Sequence, residues 1–217
     1  MDFSFTSEQE DLRREARAFL EANPEPTDAQ LEELGWKGIL QSDDFTFLDA
    51  AVLFEELGRV LYDGTFVEDE VGGDPLRLRA AHALVSVGIG SKATELAIEY
   101  VSEREQFGKK IGTYQAVSHA VVDAYVQVEL GRSLAYWAAW SVAEGDAQAQ
   151  LAVAAAKAQA GDAAVLACET SIQVHGGIGF TWEHPLHRYY KRALRLQSAN
   201  GYGRELRAEI AASLLSS

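Results

Sequence analysis

Arg104-Glu105-Gln106-Phe107-Gly108-Lys109-Lys110-Ile111-Gly112-Thr113-Tyr114-Gln115 is the stretch on which the reading of this chain turns. Apolar residues recur at helical spacing on both sides of it, and its glycines interrupt the pattern, so it marks a corner between two helices. Arg104, Lys109 and Lys110 gather positive charge there, beside Phe107 and a closing Gln115. As a plain turn it needs no ligand. Guanidinium, ammonium and glycine backbone are equally the groups that hold a phosphate, so spacing alone leaves both readings open.

Working outward, Asp74 with Pro75 opens a helix, because a proline at the first helical position sacrifices no hydrogen bond. The pattern runs to about Glu105, roughly 45 Å at about 1.5 Å per residue. A second long helix is expected over Tyr114 to about Ala143. Gly145-Asp146 turns the chain, and Asp146 is expected to cap a third, ending near His175. Ala152, Ala155, Ala156, Ala160, Ala163, Ala164 and Ala167 let neighbouring backbones approach this third helix closely. Three long helices with short connections predict an all-α fold, an antiparallel bundle. No alternating strand pattern of useful length is present. After the bundle, His175-Gly176-Gly177-Ile178-Gly179-Phe180-Thr181 is glycine-rich but follows a helix, and it lacks the dinucleotide fingerprint. Taken alone it reads as a helix end with a tight turn. Thr181 is expected to cap a further helix, made basic by His187, Arg188, Lys191, Arg192 and Arg195. A last amphipathic helix ends at Leu215.

On the N-terminal side, Ser7 with Glu10 reads as a capping box for a first helix ending near Asn23-Pro24. Thr27 with Gln30 opens a short one closed by Gly35, and a third spans about Thr46 to Val60. Tyr62 to Pro75, with Gly64, Gly72 and Gly73 among Asp63, Glu68, Asp69, Glu70 and Asp74, reads as an acidic linker or exposed loop. The expected organisation is a trimmed helical domain over 1–61, a linker over 62–74, and a helical bundle domain over 75–217.

The chemistry that composition excludes is broad. A net charge of −14 over 217 residues speaks against nucleic-acid or anionic-membrane binding. One cysteine, Cys168, forms no intrachain disulfide and builds no cysteine-based zinc site. The acids of 62–74 lack alternating ligand spacing and a histidine, so no metal is expected. Met1-Asp2-Phe3-Ser4-Phe5 lacks a basic and apolar leader pattern, and no run of 18 uncharged apolar residues appears, which predicts a cytoplasmic protein. No nucleophile elbow, zinc-protease motif or P-loop is present. His82, His119, His175, His184 and His187 show no ligand pairing along a helix.

Two motifs together resemble one family. Glu103-Arg104-Glu105-Gln106-Phe107-Gly108, followed by Ile111 and Gln115, is similar to the signature of the acyl-CoA dehydrogenases. Gln173-Val174-His175-Gly176-Gly177-Ile178-Gly179-Phe180 resembles the family's later glycine loop, at a matching separation. Residues 3–20 resemble its first helix, and Leu53 to Arg59 its "EELGR" helix end. The resemblance covers 1–61 and 74–217. It implies FAD, with Arg104 on the pyrophosphate of a neighbouring subunit's cofactor, Phe107 near the adenosine, Gln115 closing the motif, and Gln173, Gly176 and Gly177 approaching from the same side.

Two departures qualify what the resemblance implies. Family members carry a β-domain over the flavin ring, and here only 62–74 stands in its place. Their catalytic glutamate falls at Asn200, and an alternative base position falls at Leu78. Neither residue accepts a proton near neutral pH. Tyr202 and Arg204 also depart from the pattern. The basic run His184 to Ala193 resembles subunits of heteromeric, steroid-degrading acyl-CoA dehydrogenases of actinobacteria. The expectation is a subunit that lends part of an FAD site, without a catalytic base, to a full-length acyl-CoA dehydrogenase-like partner; a homodimer is the alternative. An apolar outer face bearing Tyr125, Tyr136, Trp137 and Trp140 is expected to be covered by that partner. Two other classes stand beside it: a non-redox dehydratase or cyclase using His175 or His119, and a non-enzymatic interaction protein.

Overall fold

The computed structural model describes residues 5–215; residues 1–4, part of the stretch read above for a leader and a first helix, lie outside the described residues. The described elements are α1 (Ser7–Ala22), α2 (Asp28–Glu33), α3 (Phe47–Arg59), α4 (Phe66–Val71), α5 (Pro75–Glu103), β1 (Glu105–Gln106), β2 (Lys109–Lys110), α6 (Gln115–Ala143), α7 (Ala149–His175), α8 (Leu186–Ser198) and α9 (Gly203–Leu215), with 3-10 turns at Ile39–Gln41, Ile111–Thr113 and Gly176–Phe180. The fold is all-α. Its frame is α5, α6 and α7, with α6 antiparallel to the other two and α8 and α9 laid against α7.

Small residues set the helix spacing. A Cβ on Gly131 would sit 3.2 Å from Cα of Ala160, and one on Gly90 3.3 Å from Cα of Ala164, so α6 and α5 both approach α7 backbone to backbone. The crossing of α3 over α5 is tighter. A Cβ on Gly58 would lie 2.2 Å from the Val85 carbonyl oxygen, and one on Gly88 2.0 Å from that of Glu55. Only glycine fits at either position. The stretch 75–103 begins as the sequence predicts, with Asp74 Oδ1 accepting from the N–H groups of Leu76 and Arg77 at 2.8 and 3.3 Å.

α3 is buried along nearly its whole length, and three of its charged residues lie within the core. Glu55 accepts hydrogen bonds from Arg132 Nε at 3.0 Å and from the Tyr136 hydroxyl at 2.7 Å. Glu56 accepts from Arg17 Nε and Nη2 at 3.0 and 2.6 Å, and Arg59 donates to Glu95 at 2.7 Å. The charges are thereby paired, as burial requires, and the network ties α1 and α3 to α5 and α6. Residues from 1–61 and from 75–217 share one hydrophobic cluster.

Several expectations shift. The first capping box is Thr6 with Gln9, not Ser7 with Glu10: Thr6 Oγ1 accepts from Gln9 N, and Gln9 Oε1 from Thr6 N, both at 3.2 Å. Gln9 takes this place because its amide also donates to Asp49 at 2.9 Å, joining α1 to α3. The stretch 62–74 is not an exposed loop throughout. α4 lies in it, burying Phe66, Val67 and Val71 in the shared core, and the buried Glu70 carboxylate accepts from the N–H groups of Gly38 and Leu40 at 2.6 and 3.1 Å. Asp146 does not cap α7 directly. Its carboxylate accepts from Gln148 N at 2.7 Å, and the helix begins at Ala149. Thr181 closes the turn behind it, its hydroxyl donating to the Ile178 carbonyl at 3.0 Å, and α8 starts only after Pro185. Tyr136 is buried by its bond to Glu55, so of the four aromatics placed on the outer face only Tyr125 is well exposed; Trp137 and Trp140 are half-buried. The stretch Ala149–Phe180 is long and apolar enough to cross a membrane by composition, but 67% of its most apolar window is buried inside the fold, as in a core helix.

Candidate cofactor site

At the corner between α5 and α6 the chain makes a two-residue hairpin, in which Glu105 pairs with Lys110 and Gln106 with Lys109. Phe107 and Gly108 form its tip at φ 52° and 79°. Two successive positive φ values are those of a tight hairpin turn, which glycine and asparagine favour. Phe107 occupies one at a steric cost of about 1–2 kcal/mol and keeps its ring 91% exposed, so no packing offsets that cost. The Ile111 N–H donates to the Arg104 carbonyl at 2.8 Å, and the Tyr114 hydroxyl to the Gln106 carbonyl at 3.1 Å. Lys109 lies over the Tyr114 ring at 4.2 Å. Hairpin and helix ends are thus held while Arg104, Phe107 and Gln115 face outward.

The second motif lies at the same end of the bundle. Val174 of α7 packs with Ala97 and Val101 of α5, Ile111, and Val117 and Val121 of α6. Tyr100 stacks on His175, ring centroids 4.2 Å apart. This brings exposed Gln173, Gly176 and Gly177 to the corner that carries Arg104, Phe107 and Gln115. Gly176 adopts φ 62°, ψ −135°, which a side chain strongly disfavours. A Cβ on Gly177 would meet nothing within 4 Å, so its backbone fronts open space. Between the start of α6 and the end of α7 lies a groove of about 490 Å³, lined in part by Val117, Ala120, Thr170, Gln173 and one acid, Glu169, which accepts from the Tyr190 hydroxyl at 3.1 Å. Among the described residues no carboxylate pairs with Arg104. An exposed guanidinium, an open glycine backbone and an adjoining half-apolar groove suit the pyrophosphate and adenosine end of a dinucleotide. Among the described residues the only sheet is the two-stranded hairpin of this corner.

The two positions compared with a catalytic base lie far away, near the start of α5. Leu78 packs against the core. Asn200 sits in the α8–α9 turn at φ 57°; its carbonyl accepts from Arg79 Nε at 2.7 Å, and its amide nitrogen is 3.3 Å from His82 Nδ1. Leu78 to Arg104 spans about 39 Å along α5 at about 1.5 Å per residue. The structure therefore brings the six candidate cofactor residues together and holds them apart from the candidate base positions.

His82, which no motif marked, is buried beside Asn200. Burial, together with the charges of Lys157, Arg192 and Arg195, lowers its pKa to about 4. Its place one helical turn after Leu78 was the available signal. Lys157 is buried as well, donating to the carbonyls of Leu196 and Gln197 at 2.7 and 3.3 Å and so closing the end of α8; burial and Arg79 lower it to about 8. The acid/base candidates of the non-redox reading are differently placed. His119 is exposed on α6. His175 is buried, its Nδ1 committed to the Ser171 carbonyl at 2.7 Å, between the rings of Tyr100 and His184.

A family model described as acyl-CoA dehydrogenase, C-terminal domain, matches residues 76–215. Among relatives, the acyl-CoA dehydrogenase IpdE2 of Mycobacterium tuberculosis is 36% identical over 111 residues, covering 51% of this chain and 33% of that protein. The 3-sulfinopropanoyl-CoA desulfinase of Paraburkholderia xenovorans is 34% identical over 137 residues, covering 63% and 35%. These matches span about a third of the relatives' length. Among solved structures, butyryl-CoA dehydrogenase from Megasphaera elsdenii superposes with a TM-score of 0.62 at 30% identity, over 65% of this chain and 37% of that one. The ChsE4–ChsE5 complex of Mycobacterium tuberculosis gives 0.88 at 17% identity, over 100% of both chains, a likeness of fold.

Proposed function

Because the chain belongs to the acyl-CoA dehydrogenase family through its C-terminal domain, we propose that it is one subunit of an FAD-dependent acyl-CoA dehydrogenase. It lends the adenosine and pyrophosphate end of a flavin site and supplies no catalytic base. The observation that carries this reading is the separation along α5. Arg104, Phe107, Gln115, Gln173, Gly176 and Gly177 gather at one end, and the positions where a base would act, filled by Leu78 and Asn200, lie about 39 Å away. In this reading the rest of the flavin site and the base are supplied by a second subunit.

In this assignment Arg104 would fork onto pyrophosphate oxygens. Phe107 would pack its exposed ring on the adenosine, and the Gly176–Gly177 backbone would admit close approach. The flavin supplies hydride acceptance when bound. Here α4 and its glycine turn stand where a β-domain would cover the ring, so the covering wall and the carboxylate fall to a full-length acyl-CoA dehydrogenase-like partner. The comparison with ChsE4–ChsE5, described as a complex, agrees with such an arrangement. A docking face is available on α6, where Val122, Tyr125, Val126 and Leu130 are exposed on a 29-residue helix. Its only charged residues are Asp123, Glu129 and Arg132, an apolar outer surface of the kind that subunits cover.

The test is to purify the chain alone and co-expressed with a full-length homologue, and to read the flavin absorbance and the size of each preparation. The expected result is flavin in the complex, substrate-dependent bleaching of it, and none in the lone chain. Stoichiometric flavin and bleaching in the lone chain would defeat the proposal.

A further inference from the structure

α6 ends and α7 begins over a groove of about 540 Å³, bordered also by the start of α5 and by Ser213 of α9. Ser141 of α6 lines this groove, is fully buried, and has a hydroxyl with no hydrogen-bond partner. The buried hydroxyls of α5 are engaged: those of Ser86, Ser91 and Thr94 donate to the carbonyl four residues back at 2.7, 2.7 and 2.8 Å. A buried hydroxyl left unpaired destabilises the fold, and a group seated in the groove is placed to satisfy it. The N-terminus of α7 opens on the same groove, and the Gln148 side chain makes no cap there. A helix begins with four N–H groups that have no carbonyl of their own. Asp146 serves two of them: its carboxylate accepts from Gln148 N at 2.7 Å and its carbonyl from Ala149 N at 3.0 Å. The helical ladder starts with Ala152 N on the Gln148 carbonyl at 2.9 Å. The N–H groups between, of Gln150 and Leu151, belong to residues that line the groove, and among the described residues no side chain accepts from them. Two acids line the groove as well. Asp74 is engaged by the N–H groups of Leu76 and Arg77 and pairs with the Arg77 guanidinium at 3.7 Å. Asp146 is bonded through Oδ1.

We propose that this groove binds a small molecule carrying a neutral secondary amide. The amide carbonyl accepts from the Ser141 hydroxyl and from the N–H groups that open α7, and the amide N–H donates to the Asp146 carboxylate. A secondary amide offers an acceptor and a donor together without charge. Leu76, Val142 and Leu151 supply apolar wall for the carbons on either side of it. A helix N-terminus by itself favours an anion, but here two carboxylates face the groove, and its one cation, Arg77, is already paired with Asp74; like charges repel an incoming anion. The volume lies within the range of small-molecule sites. Ser141 is about 39 Å from Gln115 along α6 at about 1.5 Å per residue, so the groove is separate from the cofactor corner.

The test is a titration of the full chain followed by backbone-amide NMR, with N-acetylleucine methylamide as probe. Signals of Val142, Gln150 and Leu151 are expected to shift and to saturate in the millimolar range. N-acetylleucine, which carries a carboxylate where the probe has its second amide, should bind several-fold more weakly. Ser141→Ala should weaken the probe by about 3- to 10-fold, the effect of one neutral hydrogen bond. Its melting temperature should be unchanged or raised, because the hydroxyl removed has no partner in the fold. Absence of saturable shifts overturns the proposal, as does S141A binding the probe as tightly as the wild type. A large fall in the melting temperature of S141A would show the hydroxyl to be engaged within the fold and overturns it too. Equal or tighter binding of N-acetylleucine overturns the assignment to a neutral amide. A blocked tetrapeptide that binds more than about tenfold tighter than the probe overturns the small-molecule assignment in favour of a peptide chain. Flavin loading with a partner is read separately, so failure of either idea leaves the other standing.

Discussion

Replacing His82 by asparagine tests the electrostatics of the α5–α8 junction most directly. The imidazole is buried, and burial with the charges of Lys157, Arg192 and Arg195 lowers its pKa from 6.5 to about 4. Because the folded value lies below the unfolded one, the unfolded chain takes up the proton first as pH drops. Stability from this group is complete above about pH 6.5, declines as pH falls, and is fully lost below about pH 4. At about 1.36 kcal/mol per unit of that gap, the loss is on the order of 3 kcal/mol. In a domain of this size, that amounts to a fall in melting temperature on the order of 5–10 °C. Carboxylates titrate in the same window, so the informative quantity is a difference. Denaturant midpoints of the wild type and H82N are measured at pH 7 and pH 4.2 in chloride. Asparagine retains an acceptor for Asn200 and carries no titratable proton, so H82N should lose less stability between the two pH values by most of that 3 kcal/mol. Equal losses in the two proteins would refute the account of a histidine held neutral by burial and cations.

The remaining predictions bear on the fold and on the cofactor corner. Gly88→Ala places a methyl against the Glu55 carbonyl and should cost about 1–3 kcal/mol or more in urea denaturation, whereas Gly72→Ala, with open space around it, should cost only its backbone strain. Glu55→Gln removes the charge facing Arg132 and Arg13 and should destabilise by about 3–5 kcal/mol, detected as a lowered denaturant midpoint with an unchanged slope. Phe107→Gly relieves the positive-φ strain, leaving stability within about 1 kcal/mol of the wild type, while weakening flavin retention in the co-purified complex. Arg104→Gln should reduce flavin affinity of that complex roughly 10- to 100-fold, from the loss of about 1.5–3 kcal/mol in charge-assisted hydrogen bonds, with size and melting temperature unchanged.

The long helices were legible because their signals are local. Asp74 with Pro75, the apolar spacing of 75–143 and the alanine run of 152–167 each name a helix without reference to the rest of the fold. That the two motifs would meet was legible for a related reason: they end α5 and α7, which run parallel on either side of the turn through α6, and Val174 and His175 need only reach across to Val101 and Tyr100 to bring them together. What escaped depends on distant partners. α4 is six residues long with three acids; nothing within it shows that Glu70 will cap the backbone of Gly38 and Leu40, or that Phe66 will pack on Phe54. Thr6 wins the first cap over Ser7 because Gln9 is needed by Asp49, forty positions away. Tyr136 looks like a surface aromatic on its own helix and is instead drawn inward by a buried carboxylate of α3.

The two ends of α5 differ in rigidity, which bears on the proposed function. The middle of α5 is locked: Gly88 and Gly90 sit against α3 and α7, and Ser91 accepts from Arg132 at 2.6 Å. Its far end projects Arg104 and a strained Phe107 from a small, internally bonded hairpin, which costs the bundle little and offers a preformed contact to another molecule. Its near end is closed instead. Arg79 clasps the Asn200 carbonyl, and α4 lies against the helix with its apolar side in the common core. A β-domain inserted at 62–74 would have to displace Phe66, Val67 and Val71, each of which is buried, at a cost of roughly 1.5–3 kcal/mol per side chain. The packing of 62–74 into the common core thus leaves no slack for an inserted domain, and under the proposed function the covering of a flavin ring falls to another subunit.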